Sequence, residues 1–237
     1  MPLLLFQVST LRGIVRGAHF VMSDFTTTLT GTINRTCQES ITHPFIDQLS
    51  SGKLPQATFR YYLIQDHHYL TAFNQLHQLI ADHLPEPDAT ILRHLSEGED
   101  LAREKMHREI NLSNAEITAA PVAPTAYAYI SHMYYQLNRY GVAAAAAGLL
   151  PCYWLYSRVA QKLTGHHSPV PLYQEFFDSY AAADFTASTD QMKEIVNHQA
   201  SEANLATRQQ MQAAFNISCY YEKQFWQMAF EQQEWKY

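Results

Sequence analysis

Apolar side chains recur at intervals of three and four along almost the whole chain, and proline and glycine punctuate the pattern in place of strand-like alternation. The first stretch predicts a helix from about residue 28 through Ile33, Cys37 and Ile41 to the His43-Pro44 break. After Ser50-Ser51-Gly52, Pro55 opens a long helix to about residue 83, with the proline suited to its first turn. Pro85 and Pro87 separate that helix from an amphipathic one over roughly 89–111, and Pro121 and Pro124 mark a loop. A tyrosine-rich helix follows over 125–140, with Gly141 as its C-terminal cap. The Ala-rich stretch 142–164 reads as a helix interrupted by Pro151. Shorter helices are expected over 172–182 and 190–203, and an aromatic-rich one over about 207–234. Some eight helices and no strand signal imply an all-α, single-domain bundle.

Three of these helices carry a polar or reactive group on the face that should be apolar. Asp66 shares a stripe with Tyr62, Tyr69, Leu70 and Phe73. An ionised carboxylate there is costly unless something pairs with it. Glu222 lies in the stripe of Phe215, Cys219, Trp226 and Ala229, where desolvation should raise its pKa toward that of a proton donor near neutrality. Cys152 follows a mid-helix proline, which lacks an N–H and pushes away the Ala147 carbonyl, leaving the thiol reachable with Tyr156 one turn on. Taken singly, each of the three is more often a structural residue than a catalytic one.

Composition narrows the classes. A net charge of −6 with only 16% charged residues leaves no basic footprint for nucleic acid. No apolar run reaches the ~20 residues that span a membrane. The 15 tyrosines, 12 phenylalanines and 12 histidines suit a pocket for a flat, polar ring. Three cysteines, Cys37, Cys152 and Cys219, show no C-x-x-C spacing and fit reduced cytoplasmic thiols. Glu104-x-x-His107 has the spacing of di-iron bundles, but no second copy exists, so no metal is expected and the pair reads as a solvated helix face. At the N-terminus, Arg12 and Arg16 follow the Leu3–Phe6 run, the wrong order for a secretory signal. Residues 1–21 are therefore expected to be a disordered tail or to precede a start at Met22, with 22–237 as the domain.

In order along the chain, several segments resemble the thiaminase II (TenA) family. They are His43-Pro44-Phe45, the run Tyr61–Leu70, Pro124–Tyr127, Ser131–Tyr134, Leu149–Tyr156 with its Leu-Pro-Cys-Tyr-Trp string, and Cys219–Trp226. The retained Cys152 is similar to the cysteine-containing branch. The resemblance implies a haem-oxygenase-like all-α bundle without haem or other cofactor, assembled as a homotetramer. It implies hydrolysis of aminopyrimidines, typically 4-amino-5-aminomethyl-2-methylpyrimidine to the hydroxymethyl pyrimidine and ammonia, and in many members of thiamine, within thiamine salvage or synthesis. By the same resemblance, Cys152 adds to the ring, Glu222 protonates a ring nitrogen, and Asp66 bonds the amidine edge. Tyr69, Tyr134, Tyr156 and Tyr180 become pocket aromatics, while His68 stands where some relatives carry tyrosine. Two other readings remain: a metal-dependent oxidase of the haem-oxygenase-like group, opposed by the single Glu-x-x-His, and a non-catalytic pyrimidine-binding protein, opposed by Cys152 and Glu222.

Overall fold

The structure, a computed structural model, describes residues 24–97 and 105–236. The expected N-terminal tail and Glu104 lie outside the described residues. Among those described there are ten helices long enough to name and no strand: α1 (Phe25–Ile41), α2 (Pro44–Ser50), α3 (Gln56–Ala81), α4 (Asp88–Glu97), α5 (Asn114–Ala119), α6 (Pro124–Tyr140), α7 (Val142–Leu163), α8 (Pro171–Ala181), α9 (Ala183–Glu202) and α10 (Leu205–Glu231). Residues 105–109 are helical as well.

The fold is organised around α7. Every residue from Ala144 to Ser157 is buried, so this helix is enclosed on all sides rather than amphipathic. Small residues make that enclosure possible. A Cβ at Gly148 would sit 3.6 Å from Ser218 Oγ and 3.7 Å from Ala214 Cβ, so α10 lies close against α7. Helices α1, α6, α8 and α9 pack around the same axis, and α3 crosses it while also holding α4 and α6. Pro151 does not interrupt α7, contrary to the expectation from sequence. Proline removes one hydrogen bond, but packing on every side keeps the two halves in one helix.

Other boundaries agree in part with the expected pattern. The first helix ends beside His43-Pro44 as expected, and Pro44 in addition opens a second one: it sits in the first turn of α2, where His43 Nδ1 accepts the Phe45 N–H at 3.1 Å. Pro55 is the cap of α3, one position before its first turn. Between the helix expected to end near residue 111 and the loop marked by Pro121 and Pro124 lies α5, started by a capping box in which Ser113 and Glu116 satisfy each other's backbone N–H. Helix α9 starts at Ala183, several residues earlier than predicted, through an opening stretch 183–188 that is not buried and so adds no apolar stripe; its buried face is Thr189, Met192, Ile195 and Val196.

Gly141 joins α6 to α7 at φ 86° and ψ −172°, caps the first helix and precedes the second. That conformation is open essentially to glycine alone. A Cβ at this position would meet nothing within 4 Å, so strain and not a clash sets the effect of a substitution. Gly141→Ala is therefore expected to lower stability by about 1–3 kcal/mol, read as a lower urea midpoint with unchanged m-value.

Candidate active site

Four helices bring polar groups together beside α7. On α3, spacing by three and four places Tyr62, Asp66, Tyr69 and Phe73 on the buried face. Helix α10 contributes Glu222 between Cys219 and Trp226, α6 contributes Tyr129, and α7 contributes Cys152 and Tyr156. Helix α8 brings Tyr180, whose ring centroid lies 4.7 Å from that of Tyr156.

Two hydrogen-bonded arms converge here. In the first, the Tyr62 hydroxyl donates to Asp66 Oδ1 at a long 3.4 Å and lies 3.2 Å from the Tyr156 hydroxyl. With Tyr62 donating to Asp66, Tyr156 is the donor to Tyr62. In the second, the Tyr129 hydroxyl donates to Glu222 Oε1 at 2.7 Å. The Tyr129 ring packs 4.8 Å from that of Tyr69, which in turn meets Phe225 at 5.7 Å. Burial holds the hydroxyl pKa values of Tyr62, Tyr69 and Tyr129 well above their ordinary value, and the charge of a thiolate at Cys152 adds a smaller rise to each, so Cys152 faces both arms.

Glu222 is the group whose chemistry the fold changes most. It is 2% exposed, and burial pushes its carboxyl up to about 8. The Tyr129 hydrogen bond pulls the other way, and the charge of Asp66 adds to the rise. The result is a carboxylic acid that holds its proton at neutral pH beside a second carboxyl group, a pairing that divides acid and acceptor roles. Burial pushes Cys219 up to about 12 and raises Cys37, so neither is suited to nucleophilic work.

A cavity of about 380 Å³ meets this group at Asp66 and Tyr180, while Cys152 and Glu222 lie behind its lining residues; its size falls within the range of about 300–1,000 Å³ that holds small molecules. Asp66, Tyr153, Tyr180 and Phe185 are among its walls. Tyr153 is fixed by His77, a fully buried imidazole pushed down to about 4 by desolvation and hence neutral. His77 Nδ1 lies 2.7 Å from the Phe73 carbonyl and must donate to it, so Nε2 accepts the Tyr153 hydroxyl at 2.9 Å.

Of the residues singled out from sequence, Asp66, Tyr69, Cys152, Tyr156, Tyr180 and Glu222 come together. Tyr134 stands apart: it is half-buried and donates its hydroxyl to the exposed Gln75 at 3.0 Å. Tyr129, on the buried stripe of Ala126, Met133 and Gln136, occupies the interior instead. That stripe, legible at spacings of three and four, was the signal for Tyr129. His68 is a structural tie, its Nε2 lying 3.1 Å from the Ala120 carbonyl before α6. Among the described residues no three His, Cys, Asp or Glu side chains are grouped to hold a metal ion. No helix formed by them is long and apolar enough to cross a membrane.

Comparison with known proteins adds to this geometry. The model of the TENA/THI-4/PQQC family matches residues 32–232. An aminopyrimidine aminohydrolase of Bacillus subtilis is 34% identical over 202 residues, covering 83% of this chain and 85% of that protein. A protein of the same name from Halalkalibacterium halodurans is 25% identical over 202 residues, covering 82% and 90%. Among solved structures, a TenA homologue from P. horikoshii OT3 superposes with a TM-score of 0.78 at 22% identity, covering 88% of this chain and 99% of that one. A domain of unknown function with a heme oxygenase-like fold from Shewanella denitrificans gives 0.68 at 13% identity, covering 87% and 92%. The all-α bundle is thus of the haem-oxygenase-like type.

Proposed function

The chain belongs to the TENA/THI-4/PQQC family, and from that premise we propose that it hydrolyses aminopyrimidines of the thiamine type, releasing ammonia from 4-amino-5-aminomethyl-2-methylpyrimidine. The observation that carries this reading is the buried Glu222 carboxyl, protonated up to about pH 8, beside Asp66 and Cys152. The 34%-identical aminopyrimidine aminohydrolase of Bacillus subtilis supports the same substrate class.

In this reading Asp66 accepts hydrogen bonds from the amidine edge of the pyrimidine, and Tyr69, Tyr156 and Tyr180 enclose the ring. The Cys152 sulfur, as thiolate, bonds to a ring carbon while Glu222 gives its proton to a ring nitrogen. Protonation lets the ring accept the electron pair, and aromaticity is lost. Electrons then flow from the ring nitrogen to the exocyclic methylene, and the substituent, carried as its ammonium form, leaves as ammonia with its bonding pair. Water adds to that methylene and returns a proton to the Glu222 carboxylate. The carbon–sulfur bond breaks, the thiolate departs, the ring nitrogen gives up its proton to the released ammonia, and the ring is aromatic again. Thiamine fits the same sequence with its thiazole as leaving group. Comparing kcat/KM for the aminomethyl pyrimidine and thiamine tests the assignment. A ratio favouring the aminopyrimidine is expected, and turnover of neither would overturn it.

Tyr129 provides a prediction of definite sign. Its hydroxyl stabilises the charged form of Glu222, so Tyr129→Phe should raise the acid's pKa above about 8. Because the reading needs Glu222 protonated, the basic limb of the kcat/KM profile should move to higher pH. A limb that stays or moves down removes Glu222 from the role of acid.

The family resemblance further supports a cytoplasmic homotetramer. Exposed Tyr127, Tyr135, Ile217 and Tyr220 give α6 and α10 apolar surface suited to self-association.

A further inference from the structure

The cavity is lined by two carboxylates of different exposure. Asp66 is buried and Tyr180 half-buried, whereas Asp184, on the first turn of α9, is exposed and so marks the solvent side of the lining. No lysine or arginine stands among the described residues lining the cavity, and His94 is the one lining side chain able to carry positive charge. Asp184 is also well anchored. The next residue, Phe185, packs its ring edge-on to Tyr180 at 4.9 Å and stacks with Tyr153 at 6.1 Å. The backbone that carries the carboxylate is therefore fixed to the cavity wall. With the amidine edge of a pyrimidine on Asp66, the substituent beside that edge extends into the rest of the cavity.

We propose that Asp184 is a specificity residue that favours pyrimidines whose 5-substituent carries a positive charge. The inference rests on the reading of this cavity as the aminopyrimidine site, and it names the chemical class of substituent that its solvent side selects. An alkylammonium group at neutral pH meets a carboxylate there, while a neutral group of equal size gains nothing from it. An exposed pair of this kind supports a preference of about three- to fivefold. The preference should shrink as salt shortens the Debye length, about 8 Å at 0.15 M.

Two ligands without a leaving group at the methylene separate charge from turnover: 4-amino-2-methylpyrimidine bearing either a 5-(2-aminoethyl) or a 5-propyl group. Calorimetric Kd values for the full chain give the cation-to-neutral preference. It is expected to fall about three- to fivefold in Asp184→Asn, and to fall further in Asp184→Lys. Asp190→Asn is the control, an exposed carboxylate on the same helix paired with Lys193 and absent from the cavity wall. An unchanged preference in Asp184→Asn, or an equal fall in Asp190→Asn, overturns the assignment of Asp184 while leaving the pyrimidine site intact. Binding of neither ligand to the unaltered chain overturns the pyrimidine site, and this inference with it.

Discussion

Cys152→Ser is expected to abolish ammonia release from the aminomethyl pyrimidine, by roughly three orders of magnitude or more in kcat, while the substrate still binds. A serine hydroxyl presents almost no alkoxide near neutral pH and is a far poorer nucleophile toward a ring carbon than a thiolate. The substitution is nearly isosteric at a site that is 8% exposed, so the fold has little reason to change. Calorimetry should give a Kd within a few-fold of the unaltered chain, since Asp66 and the surrounding aromatics remain. Undiminished turnover would remove Cys152 from the mechanism. Lost binding together with lost turnover would make the cysteine a packing residue.

Glu222→Gln should be nearly as severe, and it carries a second signature. Removing a positioned general acid lowers kcat by about 10²–10⁴-fold. The same change alters stability with pH. Between the ordinary carboxyl value of 4.5 and about 8, the unfolded chain releases the Glu222 proton while the folded chain keeps it. The folded state then binds more protons, so this group's contribution to stability falls as pH rises through that window. Glutamine has no proton to lose and still accepts the Tyr129 hydroxyl. The variant should therefore match the unaltered chain near pH 4 and exceed it by roughly 1–3 kcal/mol near pH 8. Denaturant titrations at the two pH values read this directly. A variant less stable at pH 8 than at pH 4, relative to the unaltered chain, would show that Glu222 is ionised in the fold.

The helical bundle was legible because its signals are local. Apolar spacing found the long helices, and Gly141 was readable as a cap because only glycine suits its backbone. Short elements were harder. Helix α5 is six residues long, too short to show a period, although its Ser113-x-x-Glu116 capping box was written in the sequence. Proline has to be read with its surroundings: the His43-Pro44 break ends α1 as its local pattern says, whereas Pro151 is absorbed within α7 by packing that no local pattern states.

The candidate site divides along the same line. Asp66, Glu222 and Cys152 are conspicuous in sequence because each occupies a face that should be apolar. Their mutual approach is tertiary: it depends on α3 and α10 both packing against α7, which no local pattern states. The two arms, Tyr156 to Tyr62 to Asp66 and Tyr129 to Glu222, are likewise visible only in the fold. Tyr129 also shows how closely a motif must be placed. Tyr134 lies five positions further along α6, about 140° around the helix at 3.6 residues per turn, and so reaches Gln75 at the surface.

The most direct test of the central claim is the reaction itself, run with the purified full chain and the aminomethyl pyrimidine in ¹⁸O-labelled water. Hydrolysis at the exocyclic methylene through the Cys152 and Glu222 cluster predicts ammonia and the hydroxymethyl pyrimidine in equal amounts, with one labelled oxygen in the hydroxymethyl group. Absence of product, or ammonia released with the label on the ring in place of the methylene, would contradict it.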